Sequence, residues 1–368
     1  MRLSSLFVHN FKNIGELDLP QLSGVNIITG RNASGKTNTL QSIYFLSTLS
    51  TQFKTYQQAV RFGADFFSVK GGLESSGAQK SLEVRYGPGR DVKLKLNGNT
   101  VAKKSDYIGE CRVVNFAFED IDLVRGTPGE RRRALNILIS QVNRGYLKSL
   151  QKYTAVLAHK NKLLSEAFKK RPDAAVLEAF NEQLCESGAE VIKIRKEAAV
   201  FLSQAFDLAH KRISLGLESA SLEYKCSFEC VGDLKAAFAA KLKELLPAEI
   251  ARGTTLIGPH KDDMLFKING REAKYYASDG QQRTLVFSFK LAEYRYMQDA
   301  VKDDPVILLD DVFYELDADR KAAVLEFFRP MPQLFIVSLE ADWVKKVFPD
   351  AASFRISGGA LQDALQKE

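Results

Sequence analysis

GVNIITGRNASGKTNTLQSIYFLS spans residues 24–47 and has three parts. Val25 to Thr29 is an apolar, β-branched run that predicts a strand, and Thr37 to Leu49 predicts a helix. Between them, Gly30-Arg31-Asn32-Ala33-Ser34-Gly35-Lys36-Thr37 fits GxxxxGK[ST] in its expected strand–loop–helix setting. Glycines let the backbone wrap phosphates and turn successive N–H groups into a nest at a helix N-terminus. Lys36 then reaches the β- and γ-phosphates, and the Thr37 hydroxyl is placed to ligate Mg²⁺. Residues 30–37, with Asn38 beside them, are the expected ATP contacts.

A P-loop needs an acid. PVILLDDVFYELD, residues 305–317, is an apolar run ending at Asp310, the Walker B form that holds the Mg²⁺ shell. Asp311 follows, where a second carboxylate positions or deprotonates the attacking water. ASDGQQRTLVFSFKLAEYRYM, residues 277–297, opens a predicted helix about thirty residues before Asp310. Its Ser278-Asp279-Gly280-Gln281 has the form of an ABC signature loop. There Ser278, the Gly280 N–H and Gln281 at the helix N-terminus face the γ-phosphate of ATP held by a second subunit. Tyr314 to Asp317 falls where a D-loop crosses such an interface. The three loops together predict two subunits joined head to tail around two ATP molecules, with hydrolysis as the release step.

Composition excludes other classes. The 368 residues suffice for one large or two ordinary cores, and no apolar stretch approaches the roughly 18–20 residues of a membrane span. The N-terminus lacks the apolar core of a signal peptide, so a cytoplasmic protein is expected. Cys226 and Cys230 lie in YKCSFEC, whose alternation predicts a strand. Positions four apart on a strand stand about 13 Å apart, too far to share a zinc ion. Net charge is +7, and residues 130–171 hold eleven Lys or Arg against two Glu, which leaves −2 for the remainder. Such a segment suits DNA phosphates as well as a solvated helix face. Its candidate DNA contacts are Arg131, Arg132, Arg133, Arg144, Lys148 and Lys152, with Lys54 and Arg61 as weaker ones.

The periodicity is strand-like through the first hundred residues, with a hairpin signal at Asn97-Gly98. From Pro128 to Ile213 it is helical, with Asp173 as an N-cap, and strand signals return at residues 221–230, 262–276, 305–311 and 332–338. This order predicts an α/β fold: an ABC-type P-loop ATPase head with a mixed sheet core and an inserted helical lobe. The expected divisions are 1–115 (ATPase lobe, Walker A), 116–215 (helical lobe) and 216–368 (ATPase lobe, signature and Walker B).

About 244 residues separate Lys36 from Gly280, unlike a transporter ATPase. Across nearly its whole length the chain resembles the RecF family, compact relatives of the SMC ATPases without their long coiled coil. The resemblance is carried by HNFKNIGELDL (9–19), the P-loop segment, FAFEDIDLVRGTPGERRRALNILISQ (116–141), TLIGPHKDDMLFKINGREAKYYASDGQQRTL (255–285) and ILLDDVFYELD (307–317). Departures include Ala33-Ser34 in the P-loop, Phe118, Asn136, Lys261, Val337-Ser338, and Asp279 where the family usually has Gln. The extra carboxylate Asp279 lies where it could weaken ATP-driven dimerisation.

What the resemblance implies is an ATP-dependent homodimer on double-stranded and gapped DNA with weak, DNA-stimulated ATPase activity. It further implies a role in recombination, DNA repair, replication and the SOS response to DNA damage, helping to load RecA at gaps and stalled forks with RecO and RecR as partners. Lys12 and Asn13 match a family stretch near the nucleotide. His260 reads as a catalytic base or, preferably, as a structural bridge between lobes. An ABC-type ATPase driving a protein or membrane partner without touching DNA is the alternative. A P-loop kinase is a third reading, against which the signature argues.

Overall fold

The computed structural model describes residues 1–50, 55–75, 77–87, 89, 91–167, 173–230, 232–310, 312 and 324–365. The chain forms two compact units, residues 1–120 with 297–368, and residues 121–296.

The first unit begins with β1 (Arg2–Phe11), β2 (Ile14–Leu19), β3 (Val25–Thr29) and α1 (Lys36–Thr48). The strands β4 (Phe67–Ser75), β5 (Ala78–Tyr86), β6 (Val92–Leu96), β7 (Asn99–Val101) and β8 (Val113–Ala117) follow. One sheet has the order β2-β1-β4-β5-β6-β7 and is antiparallel throughout. Asn97 and Gly98 join β6 to β7 with φ of 51° and 78°, a type I′ turn of the kind its sequence signals.

The second unit holds α2 (Asp122–Arg125), α3 (Pro128–Ser140), α4 (Arg144–Ser165), α5 (Ala174–Ile213), β9 (Ala220–Lys225) and α6 (Leu234–Arg252). It continues through β10 (Asp263–Ile268), β11 (Arg271–Glu272), α7 (Ala273–Tyr276) and most of α8 (Asp279–Val301). Asp173 caps α5 by accepting from the Ala175 N–H at 2.8 Å. The core between α4, α5 and α6 gathers Tyr153, Leu184, Ile192, Phe238 and Leu242. Gly188 lets α5 approach, since a Cβ there would lie 2.7 Å from the Phe238 ring and 3.0 Å from Tyr153.

The chain then returns to the first unit through β12 (Val306–Asp310), β13 (Leu334–Ser338), β14 (Ala352–Ser357) and β15 (Ala360–Leu365). The second large sheet has the order β15-β14-β3-β13-β12-β8, parallel except at the β15 edge. Val306 to Leu309 are all buried, the signature of a central parallel strand covered on both faces. The helix α1 packs against strands of both sheets: Phe45 meets Phe67 edge-on at 5.3 Å, and the Ser47 hydroxyl donates to the Cys111 carbonyl at 2.7 Å.

Two expectations are corrected. The order of strand and helix signals places residues 216–296 with the ATPase lobe, but they group with the second unit. The reason is packing: β9 lies along α5, while Phe228 and Ile257 join the α4–α5–α6 core. The predicted strand over residues 221–230 stops at Lys225, because the Ser227 N–H donates to the Asp262 carboxylate at 2.7 Å instead of continuing the ladder. Cys226 and Cys230 therefore sit in a loop, and both are free thiols. No described helix is long and apolar enough to cross a membrane.

Candidate functional site

The P-loop follows β3 at the carboxyl edge of the parallel strands, where such sheets receive ligands. Gly30 and Gly35 have φ of 149° and 115°, values an L side chain resists. A Cβ at Gly30 would also lie 2.2 Å from the Ile356 carbonyl. Ala33 takes φ 61° without being glycine, at the exposed crest of the loop. Lys36 is 7% exposed, and its ammonium is aimed into the loop, donating to the carbonyls of Gly30 (2.9 Å) and Arg31 (3.0 Å). Arg31 and Asn32 are exposed.

Asp310 ends β12, two strands from β3, with β13 between them. The sheet brings its carboxylate to the Thr37 hydroxyl, which donates to it at 3.0 Å across 273 residues of sequence. That hydroxyl and carboxylate are hard oxygen donors, the chemistry that Mg²⁺ prefers. Ser34 carries a buried hydroxyl with no hydrogen-bond partner among the described residues. Its Oγ lies 2.6 Å from where a Gly30 Cβ would stand, so it faces the inside of the loop. A buried hydroxyl left so is costly unless a ligand completes it. These features fit a nucleotide phosphate with its magnesium ion.

Asn13 is drawn into the same place. Its amide donates to the Ala33 carbonyl at 2.8 Å and its oxygen accepts from the Asn38 amide at 2.7 Å. Lys12 adopts φ 59°, donates its N–H to Ala59 and has its ammonium pKa lowered by burial. Asp311, the expected water-activating carboxylate, lies outside the described residues, as does Lys54.

The signature loop is built in the second unit. Ser278 and Gln281 cap each other: the Ser278 N–H donates to Gln281 Oε1 at 2.8 Å, and the Gln281 N–H to Ser278 Oγ at 3.3 Å. The Gln281 amide also donates to Glu218 at 2.6 Å, and Glu218 pairs with the buried His210. Gln281 thus supports the loop from within rather than reaching outward as expected. Asp279 accepts from Arg125 at 2.6 Å, and Arg125 also donates to Gln282. Gly280 is exposed, and a Cβ on it would meet nothing within 4 Å.

The basic segment divides by burial. Arg131 is 5% exposed and holds Asp263 in a two-pronged pair, 2.8 Å at each prong. This corrects its reading as a phosphate contact, because Nε and Nη2 are taken by Asp263 and Nη1 donates to the Gly126 carbonyl at 3.1 Å. Arg132 donates to the Asp262 carbonyl at 2.7 Å, and Lys152 pairs with Glu186 on α5. Arg133, Arg144 and Lys148 are exposed, as is Arg61 in the first unit.

His260 has a structural setting. The Thr255 carbonyl can only accept, so Nε2 carries the proton at 3.2 Å and Nδ1 accepts from the Tyr153 hydroxyl at 2.6 Å. Both partners lie in its own unit rather than in two lobes. Burial brings its pKa down to about 4, so the ring is neutral at pH 7. The unfolded chain protonates this ring near pH 6.5. Stability is therefore fully present above pH 6.5 and drains away as the pH falls toward 4, by on the order of 3 kcal/mol at most. Urea midpoints measured from pH 7.5 to 4.5 should fall more steeply for the wild type than for His260→Gln; equal slopes would refute this account. Trp343 is half-buried and donates to Ser338 at 3.0 Å.

Arg125, Glu218 and His210 escaped the sequence reading. Arg125 meets Asp279 across 154 residues, and no local pattern announces such a pair.

A P-loop strand separated by one parallel strand from the acid-bearing strand, with a capped Ser-x-Gly-Gln helix start, defines an ABC-type ATPase head of the SMC kind. The family model for the RecF/RecN/SMC N-terminal domain matches residues 2–357. DNA replication and repair protein RecF of Halalkalibacterium halodurans is 34% identical over 370 residues, spanning 98% of this chain and 99% of its own length. A Bacillus cereus protein of the same name is 34% identical over the full length of both. The solved structure of the recombination mediator protein RecF-ATPrS in the RecFOR pathway superposes with a TM-score of 0.91 at 30% identity, covering 99% of this chain and 98% of that one. An Smc head domain from Pyrococcus furiosus shares the fold, with a TM-score of 0.54 at 17% identity. The chain belongs to the RecF family.

Proposed function

We propose that this chain is an ATP-dependent, DNA-binding recombination mediator that dimerises around ATP and uses slow hydrolysis to release the dimer. The P-loop of one subunit and the Ser278 loop of another form each nucleotide site. The loop N–H groups and Lys36 bind the phosphates; Thr37 and Asp310 hold the magnesium ion, and Asp311 positions or deprotonates the attacking water. When bound, magnesium neutralises charge on the phosphate oxygens.

Gly280 carries this reading. Glycine in a helix interior costs about 1 kcal/mol relative to alanine, and among the described residues no neighbour lies within 4 Å of where a Gly280 Cβ would stand. A close approach from outside, beside an exposed serine at a helix N-terminus, explains the choice. Exposed Arg133, Arg144, Lys148 and Arg61 support phosphate contacts without base readout, and the relatives' RecFOR pathway supports RecO and RecR as partners in gap repair and RecA loading.

With Asp311→Asn to block turnover, light scattering at saturating ATP and magnesium should give a doubled mass, and gapped DNA should be retained more tightly with ATP than without. A persistent monomer sinks the shared site. Dimerisation without ATP-enhanced DNA retention sinks the DNA role alone.

A further inference from the structure

We propose that Arg125 is a positioning residue for ATP-driven dimerisation, whose guanidinium both anchors the Ser278 loop and cancels the charge of Asp279. The proposal rests on the shared-site reading above.

Asp279 introduces a carboxylate between Ser278 and Gly280 that is 86% exposed at the N-terminus of α8. If this loop meets a neighbour's triphosphate, an uncompensated carboxylate there faces like charge, and like charges brought together across an interface oppose association. The chain answers with Arg125 at the end of α2. Its Nη2 donates to Asp279 Oδ1 at 2.6 Å, and its Nε donates to Gln282 Oε1. Gln282 is 5% exposed, and its own amide donates to the carbonyls of Ala277 (3.0 Å) and Ala273 (3.4 Å), which lead into Ser278. One guanidinium therefore ties the two residues flanking Gly280-Gln281 to the preceding turn.

The anchor is local and two-sided. Lys274 of α7 donates to the Gly126 carbonyl at 3.2 Å, next to Arg125, so the end of α2 is tied to α7 as well as to α8. On the other flank, Gln281 is held by Glu218, whose second oxygen is taken by His210. Of the two carboxylates at the loop, Glu218 thus lies on the buried side, and Asp279 is the one presented outward. Arg125 is itself 42% exposed, so its positive charge is also presented to whatever approaches Ser278.

This predicts a specific pattern across four chains: wild type, Arg125→Ala, Asp279→Gln, and the pair of substitutions together. With magnesium and ATP at low salt, Arg125→Ala should weaken dimerisation about tenfold while leaving ATP binding by the monomer within about twofold. Adding Asp279→Gln should recover most of that loss, leaving a residual defect of about threefold from the missing anchor on Gln282, and Asp279→Gln alone should dimerise at least as tightly as wild type. The Arg125→Ala defect should shrink in 0.5 M salt, because exposed charges are screened there. A merely structural role would give neither rescue nor salt relief. Wild-type dimerisation by Arg125→Ala, or a double variant no better than the single one, overturns the proposal. A wild-type chain that never dimerises with ATP fails before any substitution and overturns the shared site itself.

Discussion

Lys36→Met is expected to weaken ATP binding by about 100-fold or more, because a buried charge partner of the phosphates worth about 3 kcal/mol is lost. Lys36 is 7% exposed and its ammonium is already directed into the loop by the Gly30 and Arg31 carbonyls, so no reorganisation is needed to present it. Methionine matches the length of the stem but donates nothing. The same two hydrogen bonds also hold the loop, so the variant should lose about 1–2 kcal/mol of stability as well. A fluorescent ATP analogue titrated onto folded variant, checked by circular dichroism, measures the first effect. Retained affinity within tenfold would mean that the loop N–H groups carry the phosphates without Lys36. Everything downstream of ATP, dimerisation and ATP-enhanced DNA retention alike, should disappear with it.

Ser278→Arg should separate binding from assembly. The P-loop and the Ser278 loop belong to different compact units, so nucleotide affinity of the monomer should stay within about twofold while ATP-driven dimerisation falls beyond about 100-fold. Loss of the Ser278 cap costs about 1 kcal/mol and does not unfold a unit anchored by Arg125 and Glu218. Gly280→Ala isolates the backbone's part in the same event. It should leave the fold as stable or slightly more stable, since its Cβ has open space and the unfolded chain loses freedom, yet it should also impair dimerisation. Sedimentation velocity with and without ATP reads both. Equal loss of ATP affinity and dimerisation in Ser278→Arg would show that the serine serves its own subunit's nucleotide.

Much of the nucleotide machinery is written locally. The strand, glycine loop and helix of residues 25–48 are contiguous, and each obeys a short-range rule: β-branched residues pair, glycines accept positive φ, and a lysine follows at the helix start. The same holds for the acid closing β12 and for the Ser278–Gln281 capping pair. Asn13 was legible only through family resemblance, yet it does meet the loop, through Ala33 and Asn38.

The basic segment shows the limit. Eight of the eleven cations lie on α3 and α4, and the sequence does not say which way each side chain turns; Arg131 turns inward because Asp263, brought alongside by β10, outcompetes solvent for it. Unit membership was equally hidden, since residues 216–296 carry strand signals like the ATPase lobe but bury their apolar side chains against α5.

The sequence alone determined that this chain folds around a phosphate loop, an acid-tipped strand and a capped glycine turn, because backbone conformation and capping are decided by neighbours in the chain. Only the tertiary structure decided which polar and charged groups face each other: Thr37 with Asp310, Arg125 with Asp279, Arg131 with Asp263. Such pairs join residues more than a hundred positions apart. Their partners are selected by how sheets and helices pack, and no periodicity along the chain encodes that.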